Sequence, residues 1–443
     1  MAGSSARFDQ FERLAALPPY VLATVDELKS RLRAEGHDIY DFGLGNPDGP
    51  SPKAAIDRLV SEAQRPGNQR YMPSRGLPEV RAAICDWYAR RYGERFDPES
   101  EAVITLGSKE GLAHLLLAIV APGDCVLSPD PCYPIHRFGV IIAGGQPVPV
   151  ATGPGRDPYG EIEAALGRSP KKPSGLIVNY PHNPTSAVVD LAFFERVVAL
   201  ARRESLWVIS DLAYADLVHD GRPAPSIFQV DGARDVAVEF FTVSKSYSMP
   251  GWRVGFCVGN RALVGALTSI KGYLDYGIFA PAQLAAATAL ASCDAEAAAN
   301  RSLYKRRAAL LCDGLAANGW SVPLPVASMF VWAPLPASHA ALGSVRFASE
   351  LLEKARVAVS PGVGFGPGGE GFVRFALVES DDRVRQACAA IGAYLSNSEG
   401  RGSGPPPSPS EPPAKGSGGE AAGVPRGTAA GAPARVDKAA QLK

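Results

Sequence analysis

Short runs of β-branched and aromatic residues alternate with longer stretches of helical periodicity between about residues 100 and 260. AVITL precedes GLAHLLLAIV, GLIVNY precedes LAFFERVVALARR, and LWVISD and EFFTVSK follow. A strand exposed on one face alternates apolar with polar residues, and these runs do not, so burial on both faces is expected. Such strands, joined through helices, predict a mainly parallel sheet covered by helices on each side, an α/β fold. On either side of this region the pattern changes. Residues 20–40 read as an amphipathic helix running into a strand, and the stretch beyond 295 mixes helices with short strands such as MFVWAPL and FVRFAL. Both chain ends are therefore expected to build a smaller α+β domain. The expected divisions are 1–48 for an N-terminal arm and part of the small domain, 49–290 for the large domain, 291–396 for the small C-terminal domain and 397–443 for a tail. That tail is rich in Pro, Gly, Ser and Ala, and its few apolar side chains cannot offset the entropy of ordering it.

Charge narrows the choice of partners. The 443 residues carry 45 basic and 45 acidic side chains, so no excess field exists to gather nucleic acid or an anionic membrane. No run of about 18 apolar residues suggests a membrane span, and MAGSSARFDQFERL has no apolar stretch after a basic start. The seven cysteines are odd in number and scattered, which fits reduced thiols and a cytoplasmic protein. The six histidines form no HExxH or comparable pair, so no metal is expected.

Open parallel sheets place ligands at the carboxyl ends of their strands, which makes the polar residues after each apolar run the candidates for chemistry. After AVITL comes Gly107-Ser108-Lys109-Glu110, a small-residue turn entering a helix whose first N–H groups suit a phosphate, although a helix cap reads the same way. After GLIVNY comes Pro181-His182-Asn183-Pro184-Thr185, in isolation a turn. Asp211 ends LWVISD, with Tyr214 three residues on. After EFFTV comes Ser244-Lys245-Ser246-Tyr247-Ser248-Met249-Pro250-Gly251-Trp252-Arg253, which sets a lysine at a buried strand end and an arginine eight residues later. A lone lysine there is usually a snorkelling side chain; the other three strand ends reverse that expectation.

Together, the SKSYSMPGWRVGF, DLAY, NYPHNPT and GSKEGL runs resemble the fold-type I pyridoxal-phosphate aminotransferases of class I/II, from about Tyr20 to Leu395. Within that family, LPPY, GLGNPDGPSP, RYMPSRGLPEVRAAI, GSKEGLAHL and YLDYG are most similar to bacterial alanine (glutamate-pyruvate) aminotransferases and their diaminopimelate aminotransferase-like relatives. The resemblance implies a mainly parallel seven-stranded sheet and pyridoxal 5′-phosphate as cofactor. It implies that Lys245 forms the internal Schiff base and serves as general base, that Asp211 faces the pyridine nitrogen, and that Tyr214 and Asn183 hydrogen-bond the phenolic oxygen. Tyr133 matches the aromatic that stacks on the ring. Ser108, Lys109, Ser244 and Arg253 match the phosphate site, and Thr242 stands where many relatives carry another phosphate-binding serine. Arg374 in GFVRFAL matches the arginine that takes the substrate α-carboxylate, with Gly45 and Asn183 beside it. Tyr71 matches a tyrosine that reaches the partner subunit's phosphate, which implies a homodimer with shared sites, and Tyr20 is a candidate for closing over the substrate.

His182, Ser186 and Ser248 depart from the family pattern, which often has asparagine or a small residue, glycine, and asparagine at these places. The implied activity is ping-pong transfer between an L-amino acid and a 2-oxo acid, with alanine and 2-oxoglutarate as the first expectation. Aspartate, diaminopimelate, aromatic residues or methionine are alternative substrates, and a lyase on the same fold or a non-catalytic cofactor-binding regulator are alternative roles. The formal G-x-G-x-x-G match at Gly364–Gly369 leads into FVRFAL, a strand pattern, so a dinucleotide site is not expected there.

Overall fold

The computed structural model describes residues 21–399 together with 11, 15 and 17. Strand β1 (Tyr40–Asp41) precedes seven strands, β2 (Ala102–Thr105), β3 (Cys125–Asp130), β4 (Gln146–Ala151), β5 (Gly175–Asn179), β6 (Trp207–Asp211), β7 (Ala237–Thr242) and β8 (Gly255–Gly259). These seven form one sheet in the order β2-β8-β7-β6-β5-β3-β4. All its pairings are parallel except those of β8, which runs against both β2 and β7.

Every residue of β2, β5, β7 and β8 is buried, as expected of strands covered on both faces, and the acid Glu239 within β7 is buried with the rest. Alternate side chains serve two cores. Ile104, Leu176, Val208, Phe241 and Phe256 pack with Trp87 and Tyr88 on one face, while Val103, Ile177, Ile209, Phe240 and Cys257 pack with Leu112 and Leu116 on the other. The covering helices include Pro78–Tyr92, Ser108–Ile119 and Leu191–Glu204. The last of these is capped by Asp190, whose carboxylate accepts from Phe193 N, and ends where Ser205 turns left-handed.

Four further strands follow, β9 (Phe330–Pro334), β10 (Val357–Ala358), β11 (Ser360–Pro361) and β12 (Phe372–Ala376). β11, β12 and β9 form a three-stranded antiparallel sheet, and β1 pairs in parallel with β10. Their core joins Phe42 from the N-terminal side to Phe330, Phe347, Phe375 and Ile391. The segment around Gly364 forms short 3-10 turns before β12, with no helix following it. The final helix, Asp381–Glu399, runs two residues past Asn397, where the tail is expected to begin, because no glycine or proline stands between Asn397 and Gly400. The remaining tail lies outside the described residues. All seven cysteines are buried and outside any disulfide, and no helix among the described residues is long and apolar enough to cross a membrane.

Sheet order gathers the chemistry at one edge. Asn179 pairs with Asp211 across β5 and β6, while Thr105 and Thr242 both pair with Gly255. The segments leaving β2, β5, β6 and β7 therefore emerge side by side, and the reversed β8 begins where they end.

Candidate active site

A cavity of ≈ 170 Å³ opens at this edge. Twelve of the residues singled out in the sequence line it: Gly45, Ser108, Lys109, Tyr133, Asn183, Asp211, Tyr214, Thr242, Ser244, Lys245, Arg253 and Arg374. Tyr71 is elsewhere, 84% exposed, with its ring centre 5.0 Å from that of Tyr276. Tyr20 lies outside the described residues.

Lys245 sits in a short helical turn, Val243–Ser246, directly after β7. Its Nζ donates to the carbonyl oxygen of Gly45 at 2.6 Å. Burial, with the charges of Arg374 and Arg253 adding to it, lowers the pKa of this amine to about 8, so a large neutral fraction exists near physiological pH. A neutral amine is the nucleophilic form.

Asp211 is 3% exposed at the end of β6. Its Oδ2 is 2.9 Å from Nε2 of His136, a fully buried ring in the first turn of the helix Pro134–Ile142, and its Oδ1 accepts from Ala213 N at 3.3 Å. Because the acceptor is a carboxylate oxygen, Nε2 is the protonated ring nitrogen. Asn179 steadies the same place: its Nδ2 donates to the Asp211 carbonyl at 2.7 Å and its Oδ1 accepts from Asn183 N at 3.0 Å. His136 and Asn179 were not singled out in the sequence. The first is hidden inside PIHRF and reaches Asp211 from the helix that follows β3, and the second is the last letter of a buried run, which the parallel register of β5 on β6 sets beside Asp211.

Asn183 joins two further groups. Its Nδ2 donates to Tyr214 Oη at 3.3 Å, and its Oδ1 accepts from Arg374 Nη1 at 2.9 Å. Burial pushes the Tyr214 phenol upward and keeps it protonated, while the Arg374 charge opposes this. Arg374, 5% exposed on β12, also donates to Gly43 O at 3.0 Å, and its guanidinium lies 4.1 Å from the centre of the Phe330 ring. At the cavity's other flank, Arg253 donates to Leu106 O at 2.9 Å and to Pro250 O at 3.0 Å. Gly107, at φ +77°, precedes the helix Ser108–Ile119; a Cβ there would stand 2.5 Å from Arg253 Nη2 and close the gap between the turn and the guanidinium. Thr242 Oγ1 is 2.8 Å from Ser244 Oγ.

The departures from the family pattern acquire a backbone reason. Ser186 and Ser248 both hold left-handed φ, +61° and +50°, a region that glycine and asparagine tolerate best. Ser186 offsets that strain by donating to Phe330 O at 2.9 Å and by a 2.6 Å hydroxyl contact with Ser328. His182 is buried and its pKa is depressed to about 3 by burial, with His136 adding a smaller effect, so it is neutral.

Residues 37–391 match the family of class I and II aminotransferases. The chain is 53% identical to the glutamate-pyruvate aminotransferase AlaC of Escherichia coli strain K12, covering 87% of this chain and 94% of that protein. The chain belongs to the class I and II aminotransferases. It is also 41% identical to an LL-diaminopimelate aminotransferase of Moorella thermoacetica, over 87% of this chain and 98% of that one. Among solved structures, an aspartate aminotransferase double mutant from Thermus thermophilus superposes with a TM-score of 0.80 at 30% identity, covering 87% of this chain and 99% of that one.

Class I and II aminotransferases use pyridoxal 5′-phosphate. The donor set fits that group. A dianionic phosphate suits a helix N-terminus, two hydroxyls and a guanidinium; a protonated ring nitrogen suits a buried carboxylate; an ionised phenolic oxygen suits an amide and a phenol; and an aldehyde suits a neutral amine.

Proposed function

We propose that this aminotransferase exchanges the amino group between alanine and 2-oxoglutarate, with amino acid and 2-oxo acid entering one cavity in turn. The observation that carries this reading is the company of Arg374: the same cavity is lined by the uncharged Leu44, Gly45, Tyr133 and Phe330. An arginine among such neighbours suits an α-carboxylate attached to a small apolar side chain. Lys109, whose Nζ is 5.9 Å from the centre of the Tyr133 ring, supplies a cation for the second carboxylate of 2-oxoglutarate. The likeness to AlaC supports the same pair.

Pyridoxal 5′-phosphate, when bound, supplies an aldehyde that carries the amino group and a ring that withdraws electrons from the substrate's α-carbon. In our reading Lys245 is its attachment point and, when free, takes and returns the proton at that carbon. Asp211, oriented by His136, holds the ring nitrogen in its charged state. Tyr214 and Asn183 donate to the phenolic oxygen, and Tyr133 covers the ring. Ser108, the Lys109 backbone and Ser244 with Arg253 hold the phosphate, Thr242 fixing Ser244. Arg374 binds the α-carboxylate beside Gly45 and Asn183.

The chain further acts, in this reading, as a cytoplasmic homodimer in which Tyr71 reaches the partner's phosphate. Tyr71, Tyr273, Tyr276 and Phe279 are all exposed, more aromatic surface than an isolated subunit ordinarily leaves in water. Residues 49–290 form the large domain, with 1–48 and 291–396 building the small one.

Half-reactions test the substrate pair. Alanine or glutamate added to the holoprotein is expected to shift its absorbance to that of the amine form, and silence with both would reject the pair. Capture of the cofactor by the apoprotein is expected to rise with pH and reach half its maximum near pH 8, because the Lys245 amine loses its proton there; a midpoint near 10 would remove the case for a depressed lysine.

A further inference from the structure

Lys271 takes no part in the cavity, yet it is a fully buried lysine, and burying an ammonium is costly unless it is paired and hydrogen-bonded. It lies in the last turn of the helix Arg261–Leu274. Its Nζ donates to Glu110 Oε1 at 3.1 Å and to Asp275 Oδ2 at 2.8 Å. Each carboxylate uses its other oxygen elsewhere. Glu110 Oε2 accepts from Leu106 N at 2.8 Å, and Asp275 Oδ1 accepts from Gly277 N at 2.8 Å.

Those second contacts give the cluster its direction. Leu106 is the residue before the Gly107 turn, and its carbonyl accepts from Arg253, so its N–H is held by Glu110 and its C=O by the arginine of the cavity. On the far side, the Asp275 carbonyl accepts from Ser74 Oγ at 2.7 Å. Gly277, at φ +80°, packs so closely that a Cβ would stand 2.6 Å from Pro73 O. The anchoring turn is thus built against the segment that carries Tyr71. His114 Nδ1, 2.6 Å from Glu110 Oε1, is the other titratable group on this carboxylate.

We infer that Lys271 is a positioning residue for the cofactor's phosphate: through Glu110 it fixes the Leu106–Lys109 turn against the 274–277 turn, so that the helix N-terminus and Arg253 meet the phosphate together. This rests on the reading of Ser108, Lys109 and Arg253 as the phosphate site. Backbone donors aimed by a helix bind an anion well only when their positions are fixed beforehand.

The test compares pyridoxal 5′-phosphate with pyridoxal, which lacks the phosphate, as ligands of the apoprotein. In Lys271→Met the Kd for pyridoxal 5′-phosphate is expected to rise by about 10- to 100-fold, the scale of a misplaced binding group, while that for pyridoxal stays unchanged. Lys271→Arg, which keeps the charge, is expected to recover part of the loss. Equal weakening of both ligands would reduce Lys271 to a structural residue, and no change in either would also overturn the inference. Should Lys271→Met fail to fold, Glu110→Gln serves instead: its amide oxygen still accepts from Leu106 but carries no charge for Lys271, and a loss confined to the phosphorylated ligand is expected, whereas its absence overturns the inference. Failure of the underlying reading looks different, since the unaltered protein would then bind both ligands equally.

Discussion

Asp211 and Glu239 are both buried acids on neighbouring parallel strands, and they differ in what their oxygens touch. Glu239, fully buried on β7, accepts from Tyr88 Oη at 2.9 Å, Ser226 Oγ at 2.6 Å, Ser210 Oγ at 2.9 Å and Ile227 N at 3.2 Å. Burial raises its pKa and these donors pull it back. Asp211 has one ring nitrogen and one long backbone contact, and it lines the cavity. A carboxylate with four inward donors is a joint of the scaffold. One left with unused lone pairs beside an opening is available for a ligand, so burial alone does not separate the two; saturation does.

Exchanging their chemistry should break that contrast if it is wrong. Asp211→Asn keeps the shape and removes the charge; turnover is expected to fall by about 10²–10³-fold, the scale of a lost electrostatic partner, with the thermal midpoint almost unmoved. A melting loss in place of the kinetic one would make Asp211 structural. Glu239→Leu should do the reverse. Denaturant unfolding is expected to show a loss of about 2–4 kcal/mol from its orphaned donors, while turnover per folded molecule is preserved. His136→Gln sharpens the comparison within the site: with Asp211 less firmly oriented, kcat is expected to fall roughly tenfold, equivalent to about 1.4 kcal/mol, and an unchanged kcat would leave Asp211 self-sufficient. The smallest effect belongs to Tyr88→Phe, which removes one of four donors to Glu239 and should cost about 1 kcal/mol of stability, measured by the same unfolding experiment.

The strand-end residues were legible because each follows an apolar run expected to be a doubly buried strand and because the four runs together resemble one family, whereas each alone reads as a cap, a turn or a snorkelling lysine. A lysine, an aspartate or an asparagine is costly to bury there, and four such strand ends in one sheet point to a shared polar ligand at its edge. His136, Asn179 and Glu239 were not legible. Asn179 and Glu239 matter through register, Asn179 against Asp211 and Ser210 against Glu239, and His136 through a helix that packs its ring on Asp211; neither kind of long-range contact leaves a mark in local periodicity. The two-residue strands β10 and β11 carry too little sequence for a period of two to be recognised. The last helix continues to Glu399, two residues past the Asn397 that begins the polar stretch, because composition marks polarity and not the end of a turn.

The reversal of β8 has a mechanical consequence. Because that strand starts at the edge where β7 stops, Lys245 and Arg253 stand on a single excursion of the backbone and behave like the two jaws of a caliper. The length of the stretch 246–252 sets their spread. A residue inserted there would change the size of molecule the jaws can span while leaving the sheet beneath them intact.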